Sequence, residues 1–194
     1  MVSGSDHGHF AAHFHSTTVI DLGLLQYATL TNDSPVKLFV RQFYEYARNF
    51  GLARIGFFPA NAGDHGSYRS PDGSYLPQPA EGCCIAEMMR IAIGLCDAGM
   101  GDYWDDVDQC LRSRFIELQL IDRALLDEVS RAGRPFTTKP GMTADKVTDR
   151  CIGTFSAGSD PTALYPLWTL CCVGNCSVAL YRAWESVVRP GWRR

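Results

Sequence analysis

Apolar residues recur at helical spacing along most of the chain. Between residues 16 and 30, Val19, Ile20, Leu22, Leu24, Leu25 and Ala28 follow a period near 3.6, and Asn32 and Asp33 then break it, which predicts a first helix. Ser34 followed by Pro35 reads as an N-cap with proline at the first helical position. Leu38, Phe39, Phe43, Tyr46 and Phe50 then form the apolar stripe of a second helix that stops at Gly51. A third helix is predicted from Cys84 through Met88, Ile91 and Leu95 to Ala98, ended by Gly99. A longer fourth runs from Tyr103 towards Val129, with Trp104, Val107, Leu111, Phe115, Leu118 and Leu125 on one side and Gly133 as its stop. A last helix is predicted over 173–188, where Val178, Tyr181, Trp184 and Val188 share a face.

Two stretches lack this period. Residues 57–80 are crowded with Gly, Pro, Ser, Asn and Asp, and residues 134–160 are polar and rich in Gly and Thr. No strand-rich region stands out. The pattern therefore predicts an all-α fold of helical pairs joined by long Gly/Pro-rich loops, a rhythm that a toroid of repeated helix pairs would produce. Loops of that length in compact domains usually carry function, so 57–80 is expected to rim an active site.

Length and composition narrow the picture. A chain of 194 residues suits one domain with one core, and 46% hydrophobic with 20% charged residues belongs to a folded chain. A net charge of −3 supplies no positive field for phosphates, so a nucleic-acid partner is not expected. No apolar run approaches the roughly 18 residues that a spanning helix needs, and the N-terminus lacks a basic start before an apolar run. A cytoplasmic protein with no membrane partner is the expectation, its oligomeric state left open.

Cysteine changes the picture most. There are eight, and in a reducing compartment such a surplus points to metal ligation, catalysis or buried packing ahead of disulfides. Cys83–Cys84 and Cys171–Cys172 are adjacent pairs, with Cys176 one turn further on. Glu81 and Cys83 stand at the head of the third helix, and Cys171 and Cys172 at the head of the last. Four soft or anionic donors thus come from two helix starts, where the helix dipole favours thiolates, and zinc accepts sulfur and carboxylate oxygen together. Adjacent cysteines are also often small buried hydrophobes, and no C-x-x-C pair is present, so both readings stand on spacing alone.

The run Glu81-Gly82-Cys83-Cys84-Ile85-Ala86-Glu87-Met88, then Tyr103-Trp104-Asp105-Asp106-Val107, then Cys171-Cys172-Val173-Gly174-Asn175, resembles the catalytic region of glycoside hydrolase family 127. Upstream, His13-Phe14-His15-Ser16-Thr17-Thr18 with Gly23 and Thr31-Asn32-Asp33 resembles that family's His-containing helix facing the sugar. The resemblance covers most of the chain in order. It implies part of an (α/α) barrel, because the family's proteins are several times longer, with a closed ring of helix pairs and added β-domains. Residues 1–194 are accordingly expected to be one partial barrel domain.

The activity implied is that of a zinc-dependent retaining glycosidase, with non-reducing-end β-L-arabinofuranosides as the type substrate. By the resemblance, Glu81, Cys83, Cys171 and Cys172 bind Zn2+, Cys171 is the nucleophile, and His13 and His15 contact the carbohydrate. A carboxylic acid must also protonate the leaving oxygen. The family draws a glutamate for this from the loop before Glu-x-Cys, whereas this loop holds only Asp64 and Asp72 as carboxylates; Asp64, beside His65, is the expected acid/base. Two other outcomes stay open: a non-catalytic helical module with structural cysteines or a structural zinc, and a carbohydrate-binding remnant without turnover.

Overall fold

The computed structural model describes residues 12–62, 80–132, 140–141, 143, 145–159, 164–165 and 170–188. Its framework is helical: α1 (Phe14–Thr31), α2 (Ser34–Ala47), α3 (Gly82–Asp97), α4 (Trp104–Cys110), α5 (Arg123–Ala132), α6 (Val147–Cys151) and α7 (Leu170–Val188). Strands among the described residues are two residues long: β1 (Ala12–His13) pairs antiparallel with β2 (Asn61–Ala62), and β3 (Gly158–Ser159) with β4 (Leu164–Tyr165).

α1 ends where Asn32 takes a left-handed conformation, φ 55°, and the Asp33 N–H returns to the Ala28 carbonyl at 2.9 Å. Asp33 then caps α2, its carboxylate accepting from the Val36 N–H at 3.1 Å with Pro35 in the first turn. A two-residue link thereby folds α1 and α2 into a helical hairpin; the cap is Asp33, one residue before the expected Ser34, because its carboxylate reaches the Val36 N–H.

α3 is the centre of the molecule. Twelve of its sixteen residues are buried, and it packs on α1, α2, α4 and, most extensively, α7. α1 and α7 flank it in the same direction: the head of α1 meets the head of α3 at His13 and Glu81, Leu25 lies against Gly94 further along, and Cys172 at the head of α7 touches Cys83. α7 turns small side chains towards α3, namely Cys172, Cys176, Ala179, Ala183 and Ser186, which lets the two helices approach closely. Its large residues face solvent instead, with Tyr181 at 55% and Trp184 at 58% exposure, and α1 likewise exposes Ile20, Tyr27 and Leu30.

The expected fourth helix is two helices. α4 passes into a π-helical turn, Leu111–Phe115, broken at Ser113 (φ −96°, ψ −108°), and the chain then becomes extended. Leu118 and Leu120 are both buried while Gln119 between them pairs with Phe155 in an isolated bridge. Backbone bonds Ser156 N–H to Leu118 C=O (2.8 Å) and Leu120 N–H to Thr154 C=O (2.8 Å) hold this ladder, and Phe115 packs on Phe155. Period-two burial here overrides helical spacing, and Asp122 restarts the helix by accepting from the Leu125 N–H at 3.0 Å. The polar stretch 134–160 accordingly contributes core, since Phe155, Ser156 and Ala157 are buried.

Helix starts moved by two or three residues. α1 begins at Phe14, α3 at Gly82 and α7 at Leu170, so Cys83, Cys171 and Cys172 all lie inside first turns and Glu81 holds the N-cap position of α3. The start of the expected 57–80 loop is buried at Phe57 to Ala60 and at Ala62; residues 63–79 lie outside the described residues. No described helix is long and apolar enough to cross a membrane.

Candidate metal centre

Three helix heads converge on one cluster. The Gly82 N–H bonds the Ala157 carbonyl (3.4 Å), and a Cβ at position 82 would stand 2.6 Å from the Ser156 carbonyl oxygen and 3.0 Å from the Cys176 sulfur. Glycine between Glu81 and Cys83 is thus what admits the 155–157 segment and α7 to the head of α3. Close packing then brings the Cys172 Sγ to 3.5 Å from the Cys83 Sγ, and the Cys171 Sγ to 3.8 Å from the Cys172 Sγ.

The three sulfurs Cys83, Cys171 and Cys172 lie within 4.8 Å of one another. Around a tetrahedral zinc with Zn–S near 2.3 Å, neighbouring sulfurs stand about 3.8 Å apart, and a sulfur and a carboxylate oxygen about 3.5 Å apart. The observed sulfur separations of 3.5 and 3.8 Å fit that shell, as does the 3.5 Å between the Cys83 Sγ and the Glu81 Oε2. Glu81 groups at the same reach with Cys83 and Cys84, so its carboxylate enters from the Cys83 side. The three thiols at helix N-termini suit a thiophilic divalent ion.

Exposure differs within the cluster. Cys83 and Cys172 are fully buried, whereas Cys171 is exposed. The Cys83 thiol is pulled down by its Cys172 neighbour, but Cys84, burial and the Glu81 charge outweigh this and hold it well above the usual thiol range. Cys176, one turn below, is raised by burial and by Cys172 and Glu87. Metal binding at the cluster therefore has to displace protons.

The two histidines at the head of α1 diverge. His13 Nε2 meets Glu81 Oε2 at 2.8 Å while its Nδ1 meets Ser16 Oγ at 2.8 Å. His15 Nε2 lies 3.5 Å from the Asn175 side-chain nitrogen on α7, and its Nδ1 is buried without a partner among the described residues. Burial and the neighbouring His13 lower the His15 pKa, favouring neutral imidazole. Asp64, the expected acid/base, lies outside the described residues, as do His65 and Asp72.

Two further groups near the cluster were not foreseen. Glu87 is fully buried on α3, with Oε1 accepting from Arg90 at 2.8 Å and Oε2 without a partner among the described residues, and burial raises its pKa. A carboxylate four residues after Cys83 in an otherwise apolar helix, with arginine three residues later, was the available signal. Asn175, one turn after the Cys171–Cys172 pair, was signalled by the same helical spacing. No protein-family model, no curated protein and no solved structure matches this chain.

Proposed function

We propose that Glu81, Cys83, Cys171 and Cys172 hold a zinc ion and that the chain is the site-bearing part of an (α/α)-barrel retaining glycosidase acting on non-reducing-end sugars. The observation that carries this reading is the asymmetry of the thiols: two are sealed in the helix interface and Cys171 alone opens to solvent beside them. A purely structural thiolate cluster has no need of an open member, whereas a nucleophile must meet its substrate. Bound zinc would keep the sulfurs ionised near neutral pH. Cys171 Sγ would then attack the anomeric carbon; the sulfur–carbon bond forms as the bond to the leaving oxygen breaks, and that oxygen takes a proton from the acid, for which Asp64 is proposed. Water, deprotonated by the same group, releases the sugar and restores the thiolate.

The barrel part of the reading is supported by three parallel helices side by side, α1, α3 and α7, with α2 returning antiparallel behind α1. Exposed Ile20, Tyr27 and Leu30 on α1, and Tyr181, Trp184 and Val188 on α7, are faces on which further helices of a ring would pack. His13 and His15 border the cluster, where the resemblance implies sugar contact.

A second reading, a helical module with a structural metal, draws support from the complete burial of Cys83 and Cys172. Cys171→Ala separates the two. With zinc content held, loss of aryl-glycoside hydrolysis by about three orders of magnitude supports the nucleophile. Unchanged hydrolysis, or none in the parent across furanoside and pyranoside substrates, removes the catalytic reading.

A further inference from the structure

We infer that His13 is a positioning residue for the metal-site carboxylate: it fixes which way Glu81 presents itself to Cys83. The inference rests on the metal-centre reading above. Three facts converge on one oxygen. Glu81 Oε2 receives the His13 ring at 2.8 Å and the Cys83 thiol at 3.5 Å, while the Glu81 carboxylate has no other hydrogen bond among the described residues. An ionised carboxylate only accepts, so His13 Nε2 is the donor.

The other ring nitrogen is spoken for as well. With Nε2 bonded to Glu81, Nδ1 shares a hydrogen bond with the Ser16 hydroxyl at 2.8 Å. Ser16, His13 and Glu81 thus form a hydrogen-bonded chain that ends on the proposed ligand oxygen. The backbone under it is pinned too: His13 pairs with Asn61 in the β1–β2 ladder, and the next residue, Phe14, donates its N–H to Ala60 C=O at 2.8 Å and is fully buried. A carboxylate at an N-cap position with no capping hydrogen bond of its own has several rotamers open to it, and this chain selects one.

Such a group acts through its neighbour, in the way that partners of metal ligands orient them. It places His13 in support of the centre, whereas His15 turns away to Asn175. Two histidines two residues apart therefore serve different helices.

The test is zinc affinity, measured by chelator competition under reducing conditions, together with the thiolate-to-metal charge-transfer band of the cobalt(II)-loaded protein. His13→Ala should weaken zinc by about ten- to a hundredfold and shift the band. His13→Gln retains an N–H donor on a side chain of similar reach and should stay within about threefold of the parent with an unshifted band. Ser16→Ala leaves His13 in place and should weaken zinc by a smaller factor, and it decides the matter if His13→Ala fails to fold. Parental affinity and band in His13→Ala, or in Ser16→Ala where it must stand in, overturn the inference while leaving the metal reading intact. Equal losses in the Ala and Gln variants overturn it in favour of a packing role. A parent that binds no zinc overturns both.

Discussion

Two polar clusters tie helices together in this protein, and they differ in how completely they satisfy themselves. Behind α3, Asp106 on α4 accepts from Tyr44 on α2 (2.8 Å) and from Arg48 just past its end (2.9 Å), while Glu45 accepts from Arg48 (3.0 Å) and from Tyr103 (2.7 Å). Each carboxylate there has donors for both oxygens. Burial works to raise the Glu45 pKa, but the Tyr103 and Arg48 hydrogen bonds outweigh it and lower it, as expected of a closed network. At the head of α3 the balance is different. Three sulfurs crowd one another with weak thiol hydrogen bonds, and buried Nδ1 of His15 has no partner among the described residues. The first cluster closes on its own donors and acceptors; the second brings three thiols near enough to one another to hold a metal ion.

Substitutions test that difference, in order of expected size. Cys83→Ala should lower zinc affinity at least a hundredfold, about 3 kcal/mol or more, while changing the stability of the metal-free protein by only about 1 kcal/mol. Isothermal titration and metal-free thermal melts read the two numbers. A large loss of metal-free stability would make the cysteine cluster as structural as the Asp106 network.

Asp21 is buried on α1 away from both clusters, and burial pushes its carboxyl up to about 6. A carboxyl raised in the folded state favours folding only while protonated, so its contribution is present below pH 4 and is lost as pH rises through about 6. Asp21→Asn should therefore stabilise the protein at pH 7 by on the order of 2–3 kcal/mol, with the gain vanishing near pH 4. Denaturant midpoints at the two pH values check it. A gain independent of pH would show that ionisation is not the cause.

Asp106→Ala should cost about 2 kcal/mol, because it strands Tyr44 and Arg48, and zinc affinity should not change. Tyr44→Phe removes one donor only and should cost about 1 kcal/mol. If either shifts zinc affinity severalfold, the two clusters are coupled through α3 and the contrast between them fails.

Much of the framework was legible because it is local. The Ser34-Pro35 start, the Gly99 stop and the 3.6 period of α2 and α3 follow from capping chemistry and burial on one face. The break inside the expected fourth helix was not legible, because Leu118 and Leu120 fit a helical stripe equally well. Only pairing with 154–156, some 35 residues away, makes them extended. The cysteine cluster was legible as a set of residues and not as a geometry: Cys83, Cys171 and Cys172 are drawn together by helix packing that spacing does not reveal, and Glu81 groups with Cys83 and Cys84. The divergence of His13 and His15 was hidden for the same reason. Residues two apart at the head of α1 face different neighbours only once those neighbours are placed.

The measurement that bears most directly on the centre is metal stoichiometry. Protein purified with reductant and without chelator, dialysed and analysed by elemental mass spectrometry, should contain one zinc per chain, and Cys83→Ala and Cys172→Ala should contain none. Parent protein that carries no zinc and does not take it up on titration would contradict the account, leaving Cys83 and Cys172 as close-packed core.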